Sequence, residues 1–134
     1  MNYRAMLDTN IVSNALRYPL GSAAQRMTLP GQPPVCVSSI VAAELHFGAR
    51  KVRSERLSEQ VSGILRTIDV LPFEASAAAA YAELRTQLEG LGTPIGPLDM
   101  LIAAHALALD LPLVTDNVRE FSRVPNLRVE NWLD

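Results

Sequence analysis

Four carboxylates could do chemistry in this chain: Asp8, Glu44, Asp99 and Asp116. They are far apart in sequence, yet each stands beside an apolar segment rather than in a solvated run of charge. Gathered in one place, such acids repel unless they are protonated or bridged by a cation. The chain has a single cysteine and two well-separated histidines, so the available donors are hard oxygens. Such a donor set suits Mg²⁺, or Mn²⁺, and not zinc. A bound ion of that kind positions a phosphodiester, lowers the pKa of a water and stabilises charge on the leaving oxygen. This is the chemistry of a metal-dependent nuclease. A plainer alternative stays open from the residues alone: acids that cap helices and pair with arginines in a non-catalytic interaction module.

The elements that must position these acids can be read around the stretch Thr93-Pro94-Ile95-Gly96-Pro97-Leu98-Asp99. Pro94 and Pro97 stiffen a loop, and Pro97 suits a first helical position. The helix is predicted from Pro97 to about Asp110, with Asp99 in its first turn. Leu98, Leu101, Ile102, His105 and Leu109 recur at helical spacing and predict its buried face.

Strands are predicted over residues 3–7, 35–37, 68–71, 113–114 and 127–129, with helices between them. Asn10 or Thr9 is expected to cap the first helix, Ser38 or Ser39 the one bearing Glu44, and Ser54 the next. Residues 50–53 are expected to break the Glu44 helix. A long alanine-rich helix is predicted over 74–91, and a short one over 118–121 that Asn117 could cap. Strands alternating with helices predict an α/β fold with a mostly parallel sheet. Active sites of such folds lie beyond the carboxyl ends of the strands, where Asp8 and Asp116 fall. Glu44 and Asp99 sit in helices that could project toward the same edge.

Composition narrows the classes. At 134 residues and 49% apolar, the chain reads as one globular domain, residues 1–134. No apolar run reaches membrane-span length, and no signal-peptide pattern opens the chain, so no membrane partner is expected. The lone Cys36 forbids an internal disulfide and fits a reducing cytoplasm. Net charge is −2, which does not announce a nucleic-acid binder. Yet eleven of the twelve bases are arginine, the better phosphate fork. Arg50, Lys51, Arg53 and Arg56 form the one basic cluster, either an RNA or protein contact or a solvated helix end. His105 reads as a packed, satisfied histidine. His46 lies about 200° around the helix from Glu44 and reads as surface. No phosphate-binding glycine loop and no nucleophile triad is recognisable.

The motifs, taken in order, resemble a family. Met6-Leu7-Asp8-Thr9-Asn10 is followed by Val37-Ser38-Ser39-Ile40 and Glu44-Leu45-His46-Phe47-Gly48-Ala49. Then come Gly92-Thr93-Pro94-Ile95-Gly96-Pro97-Leu98-Asp99, Ile102-Ala103-Ala104-His105-Ala106, Leu113-Val114-Thr115-Asp116-Asn117 and a tail reaching Trp132. The chain resembles a PIN-domain ribonuclease, and more closely a VapC-type toxin of a bacterial toxin–antitoxin pair. The resemblance implies a PIN-like three-layer α/β/α sandwich and an endoribonuclease that inhibits translation. It implies Mg²⁺ held by Asp8, Glu44 and Asp99, an RNA substrate with tRNA among the candidates, and a VapB-type antitoxin. A homodimer, or a higher oligomer with antitoxin, is also implied. A housekeeping PIN nuclease of RNA processing is the alternative within the family. At the fourth acid the chain departs from the Thr-x-Asp pattern of many relatives. Here Asp116 comes one place early and Asn117 holds the usual position. Asp116 is expected on the metal side with Asn117 as helper, while Thr115 is expected to orient Asp8 through its hydroxyl.

Overall fold

The computed structural model describes residues 2–133; Met1 and Asp134 lie outside them. Five strands form one sheet: β1 (Ala5–Leu7), β2 (Val35–Ser38), β3 (Asp69–Leu71), β4 (Leu113–Val114) and β5 (Val129–Glu130). Their order is β3-β2-β1-β4-β5, and every pairing is parallel. Met6 pairs with Cys36 on one side and Leu113 on the other, which places β1 at the centre. β1, β2 and β4 are buried at every residue. That is why they read as continuous apolar runs rather than alternating ones.

Seven helices connect the strands: α1 (Thr9–Arg17), α2 (Ser22–Met27), α3 (Ser39–Lys51), α4 (Glu55–Leu65), α5 (Ala75–Gly90), α6 (Pro97–Ala108) and α7 (Val118–Phe121). The chain first steps from β1 through β2 to β3, then crosses back to β4 on the other side of β1. Right-handed crossovers therefore place α1 to α4 on one face and α5 to α7 on the other, giving the expected three layers. The reversal of direction opens a crevice between the carboxyl ends of β1 and β4. Met6, Leu7, Ile11, Leu88, Ile102, Leu113 and Phe121 are fully buried between the layers. Each contributes about 1.5–3 kcal/mol by leaving water.

Several local expectations are corrected. The cap of α1 is Asp8, not Thr9 or Asn10: its Oδ1 accepts the Thr9 N–H at 2.8 Å. Of the two serines, Ser38 caps α3, accepting the Ile40 N–H at 3.0 Å. Ser39 instead accepts the Phe73 N–H at 3.1 Å and so ties α3 to the segment after β3. Helix α3 runs through Arg50 to Lys51, and the break expected over 50–53 falls at Val52 and Arg53, the latter with φ 54°. Neither Arg50 nor Lys51 disfavours helix, and both are cations facing the negative end of its dipole. Ser54 caps α4 as expected, accepting the Leu57 N–H at 3.0 Å. On α6 the predicted buried face is too narrow. Leu98 and Leu109 are exposed, while Met100, Ile102, Ala103, Ala104, His105 and Ala106 are buried nearly all the way round. Strand β5 starts two residues later than predicted, after a turn at Asn126 with φ 68°. Among the described residues no helix is long and apolar enough to cross a membrane.

Candidate active site

The crevice at the sheet's switch point is a cleft of about 450 Å³. Asp8, Glu44, Asp99 and Asp116 all line it, together with Asn10 and Asn117. The fold thus brings the four acids to one place from β1, α3, α6 and the end of β4.

Asp8 is 4% exposed and the best-held of the four. Its Oδ2 accepts the Thr115 hydroxyl at 2.8 Å, the orienting role expected of Thr115. Thr115 is itself buried, and its oxygen also accepts the Asn117 N–H at 3.0 Å. Burial pushes the Asp8 carboxyl above its usual range; the bonds from Thr115 and Thr9 pull the other way, while Glu44 and Asp116 add to the rise. Glu44 projects from α3, and its Oε1 accepts the Thr9 hydroxyl at 2.9 Å. Asp116 accepts a bond from the Asn10 side-chain amide.

Asp99 enters from the first turn of α6 and meets a residue that sequence reasoning missed, Glu120 of α7. A Cβ on Gly96 would stand 3.6 Å from Asp99 Oδ2 and 3.7 Å from Glu120 Oε1, so both carboxyls close over a bare glycine. Glu120 Oε1 accepts the Gly96 N–H at 2.8 Å, and its Oε2 accepts the Asn117 amide at 2.6 Å. Those donors hold Glu120 below its ordinary range. Asp99 is pushed up to about 7, first by burial, then by its bond to Glu120 and the charges of Glu120, Asp8 and Glu44. The shared proton therefore rests on Asp99. The signal for Glu120 was its place three residues after Asn117, where a single helical turn returns to the same edge. For the same reason Asn117 is not the expected side-chain cap of α7. It occupies the cap position, but its amide donates to Glu120 and makes no cap bond.

His105 is buried, with its Nδ1 2.8 Å from Ser38 Oγ, and burial lowers its pKa. His46 is exposed, as expected. Arg50, Lys51, Arg53 and Arg56 are exposed and lie outside the acid cleft.

The donor set fits a divalent cation. Every candidate ligand is a hard oxygen, and Asn10 Oδ1 is a buried acceptor with no partner, as a site awaiting a cation or its waters presents. Among the described residues no three His, Cys, Asp or Glu side chains close on a single point. Mg²⁺ does not require that, since it keeps several waters and takes one or two carboxylates plus substrate phosphate.

Fold and donor set together define a class: a parallel α/β protein presenting oxygen ligands at the switch point of its sheet. Over residues 5–127 the chain matches the model of the PIN domain. It is 41% identical over 128 residues to the tRNA(fMet)-specific endonuclease VapC of Shigella flexneri, spanning 95% of this chain and 96% of that one. It is 40% identical over 129 residues to ribonuclease VapC2 of Rickettsia felis, spanning 95% and 96%. Among solved structures, VapBC2 from Rickettsia felis, bound to a DNA fragment from its promoter, is similar with TM-score 0.89 at 39% identity, covering 96% of this chain and 98% of that one. DNA-bound VapBC from Salmonella typhimurium is similar with TM-score 0.91 at 36% identity, covering 98% and 99%. The chain belongs to the PIN-domain family, among its VapC ribonucleases, and is an endoribonuclease.

Proposed function

We propose that this ribonuclease is the toxin of a toxin–antitoxin pair, a single PIN-like domain that hydrolyses RNA with Mg²⁺ and so stops translation. The observation that carries the reading is the meeting of Asp8, Glu44, Asp99 and Asp116 in one cleft. By analogy with the Shigella relative's name, the substrate is a tRNA. By analogy with the VapBC complexes, a VapB-type antitoxin silences it, and the active form is a dimer.

Asp8, Glu44 and Asp99 are the residues that would hold the cation, with Asp116 the fourth acid. Once bound, the cation supplies an activated water and stabilises charge on the phosphate. Thr115 fixes the rotamer of Asp8, and Thr9 reaches across to Glu44, so both carboxylates are aimed before substrate arrives. Burial and Glu120 raise the Asp99 carboxyl to about 7, so near neutrality it takes up a proton that it must shed to become a ligand. Hydrolysis joins the water oxygen to phosphorus and releases one ribose oxygen. The housekeeping-nuclease and non-catalytic readings have no observation in their favour here.

The test is cleavage of a total tRNA pool by the purified protein with Mg²⁺, with Mn²⁺ and with EDTA. Cleavage should vanish in EDTA and return with either ion; undiminished cleavage in EDTA overturns the metal mechanism. Co-expression with the neighbouring antitoxin gene should give one co-eluting, inactive complex. Two separately eluting proteins with full toxicity would remove the toxin–antitoxin part.

A further inference from the structure

A cleft lined by four carboxylates must admit a polyanion that those carboxylates repel. Among the described residues lining the cleft, Arg17 is the only base. It is the last residue of α1 and is exposed. The salt bridges among the described residues, Arg85–Glu89 and Arg128–Asp110, lie elsewhere and leave its guanidinium free. Asn10, Ser13, Asn14 and Arg17 recur at three- and four-residue spacing, so they share one face of α1, and all line the cleft. Arg17 also borders a second hollow of about 420 Å³ between α1, α3 and α4. The two hollows have Thr9, Ser13, Arg17 and Glu44 in common, so Arg17 stands on the rim where one opens into the other.

Arg17 lies nine positions beyond the Asp8 cap, a run of about 13 Å along the axis. The side chain leans back toward the helix start, which shortens the gap without closing it. Arg17 therefore cannot serve the reacting phosphate held by the acids. It is placed for the next phosphates of the strand.

We propose that Arg17 is a substrate clamp: its guanidinium forks onto a phosphate of the RNA strand beside the one cut, with Asn10, Ser13 and Asn14 as the polar track between. The assignment rests on reading the cleft as the ribonuclease site. An arginine in this place holds two phosphate oxygens at once, which lysine cannot. It also supplies the one basic side chain among the described residues lining the cleft, drawing the strand along α1 and across the acids.

The test uses the full chain and a labelled single-stranded RNA. Binding is followed by anisotropy in Mg²⁺ on an Asp99→Asn background, which keeps the RNA intact. Adding Arg17→Ala should weaken binding about tenfold, the loss of a charged hydrogen bond. The slope of log affinity against log salt should become shallower by about 0.7, one single-strand phosphate contact. Arg17→Lys should restore the slope and only part of the affinity. In the otherwise native enzyme, Arg17→Ala should lower kcat/KM about tenfold through KM. Unchanged affinity and slope overturn the clamp, as does a fall confined to kcat. Unchanged RNA binding with weakened antitoxin binding assigns Arg17 to that partner instead. If the protein with Arg17 intact neither binds nor cuts RNA, the ribonuclease reading fails and the clamp falls with it.

Discussion

Cation binding to the cleft should release a proton from Asp99 and weaken steeply below neutrality. The Asp99 carboxyl is pushed up to about 7 by burial and by Glu120, which its own donors keep ionised. At pH 6 about nine-tenths of Asp99 is then protonated, and at pH 8 about one-tenth. A cation must displace that proton. The apparent Kd for Mn²⁺ should therefore be about tenfold weaker at pH 6 than on a plateau above pH 8. Calorimetry at pH 6 in two buffers of different ionisation enthalpy should count about one proton released per ion, and almost none at pH 8. Glu120→Gln keeps an acceptor for Gly96 but removes the charge, so the proton count at pH 6 should drop. Affinity that is flat between pH 5.5 and 8 would refute the reasoning.

The same carboxyl sets a sign for stability without metal. Its folded pKa lies above its unfolded value, so between about pH 4 and 7 the folded state binds more protons. Metal-free stability should then fall as pH rises through that window. Direct conversion would give about 4 kcal/mol. Asp99 is half-exposed to solvent screening, which reduces the expected loss to about 1–2 kcal/mol. Melting in EDTA at pH 5.5 and 8 should show it, and Asp99→Asn should flatten the difference.

Asp8→Asn, Glu44→Gln and Asp99→Asn should each abolish RNA cleavage and leave the far-ultraviolet spectrum intact; near-normal turnover at saturating metal in any of them excludes that residue as a ligand. Asp116→Asn should weaken Mn²⁺ affinity or activity by about ten- to hundredfold, measured by calorimetry and initial rates. Asn117→Ala removes a donor to Glu120 and not a helix cap, so its melting temperature should barely move; an inactive Asn117→Ala beside a near-normal Asp116→Asn would reverse the two roles. Thr115→Val strips Asp8 of its buried donor and the Asn117 N–H of its acceptor, which should cost about 1–3 kcal/mol in denaturant unfolding.

The parts of the fold that were legible in the sequence are those where burial leaves no choice. The strands β1, β2 and β4 are short apolar runs because both faces are covered, and Asp8 and Asp116 stand out because they follow β1 and β4. Helix α6 shows the limit. Leucine spacing picked Leu98 and Leu109, but the close packing is done by Ala103, Ala104 and Ala106, whose small side chains carry little periodic signal. The break over residues 50–53 is legible only to within two residues: Arg50 and Lys51 stay helical, since only glycine and proline strongly oppose helix, and the chain turns at Val52 and Arg53. Glu120 carried only a weak signal, its spacing from Asn117. An acid on a four-residue helix looks like any solvated charge, and only the tertiary fold sets it against Asp99, 21 positions earlier.

What surrounds the acids explains how a crowded anionic cleft can remain a receptor for cations. Their donors among the described residues are all neutral. Thr115 and the Thr9 amide serve Asp8, the Thr9 hydroxyl serves Glu44, and Asn10 serves Asp116. A lysine or arginine in any of these places would have held the carboxylate as firmly, but it would also have cancelled the charge that attracts the ion. Hydroxyls and amides fix direction and leave the charge standing. The buried Ser38–His105 contact extends the same logic outward. It joins the cap of α3, which bears Glu44, to α6, which bears Asp99. Because burial lowers the His105 pKa, that link favours the neutral imidazole. The two helices are thus held in register without a fixed positive charge beside the site.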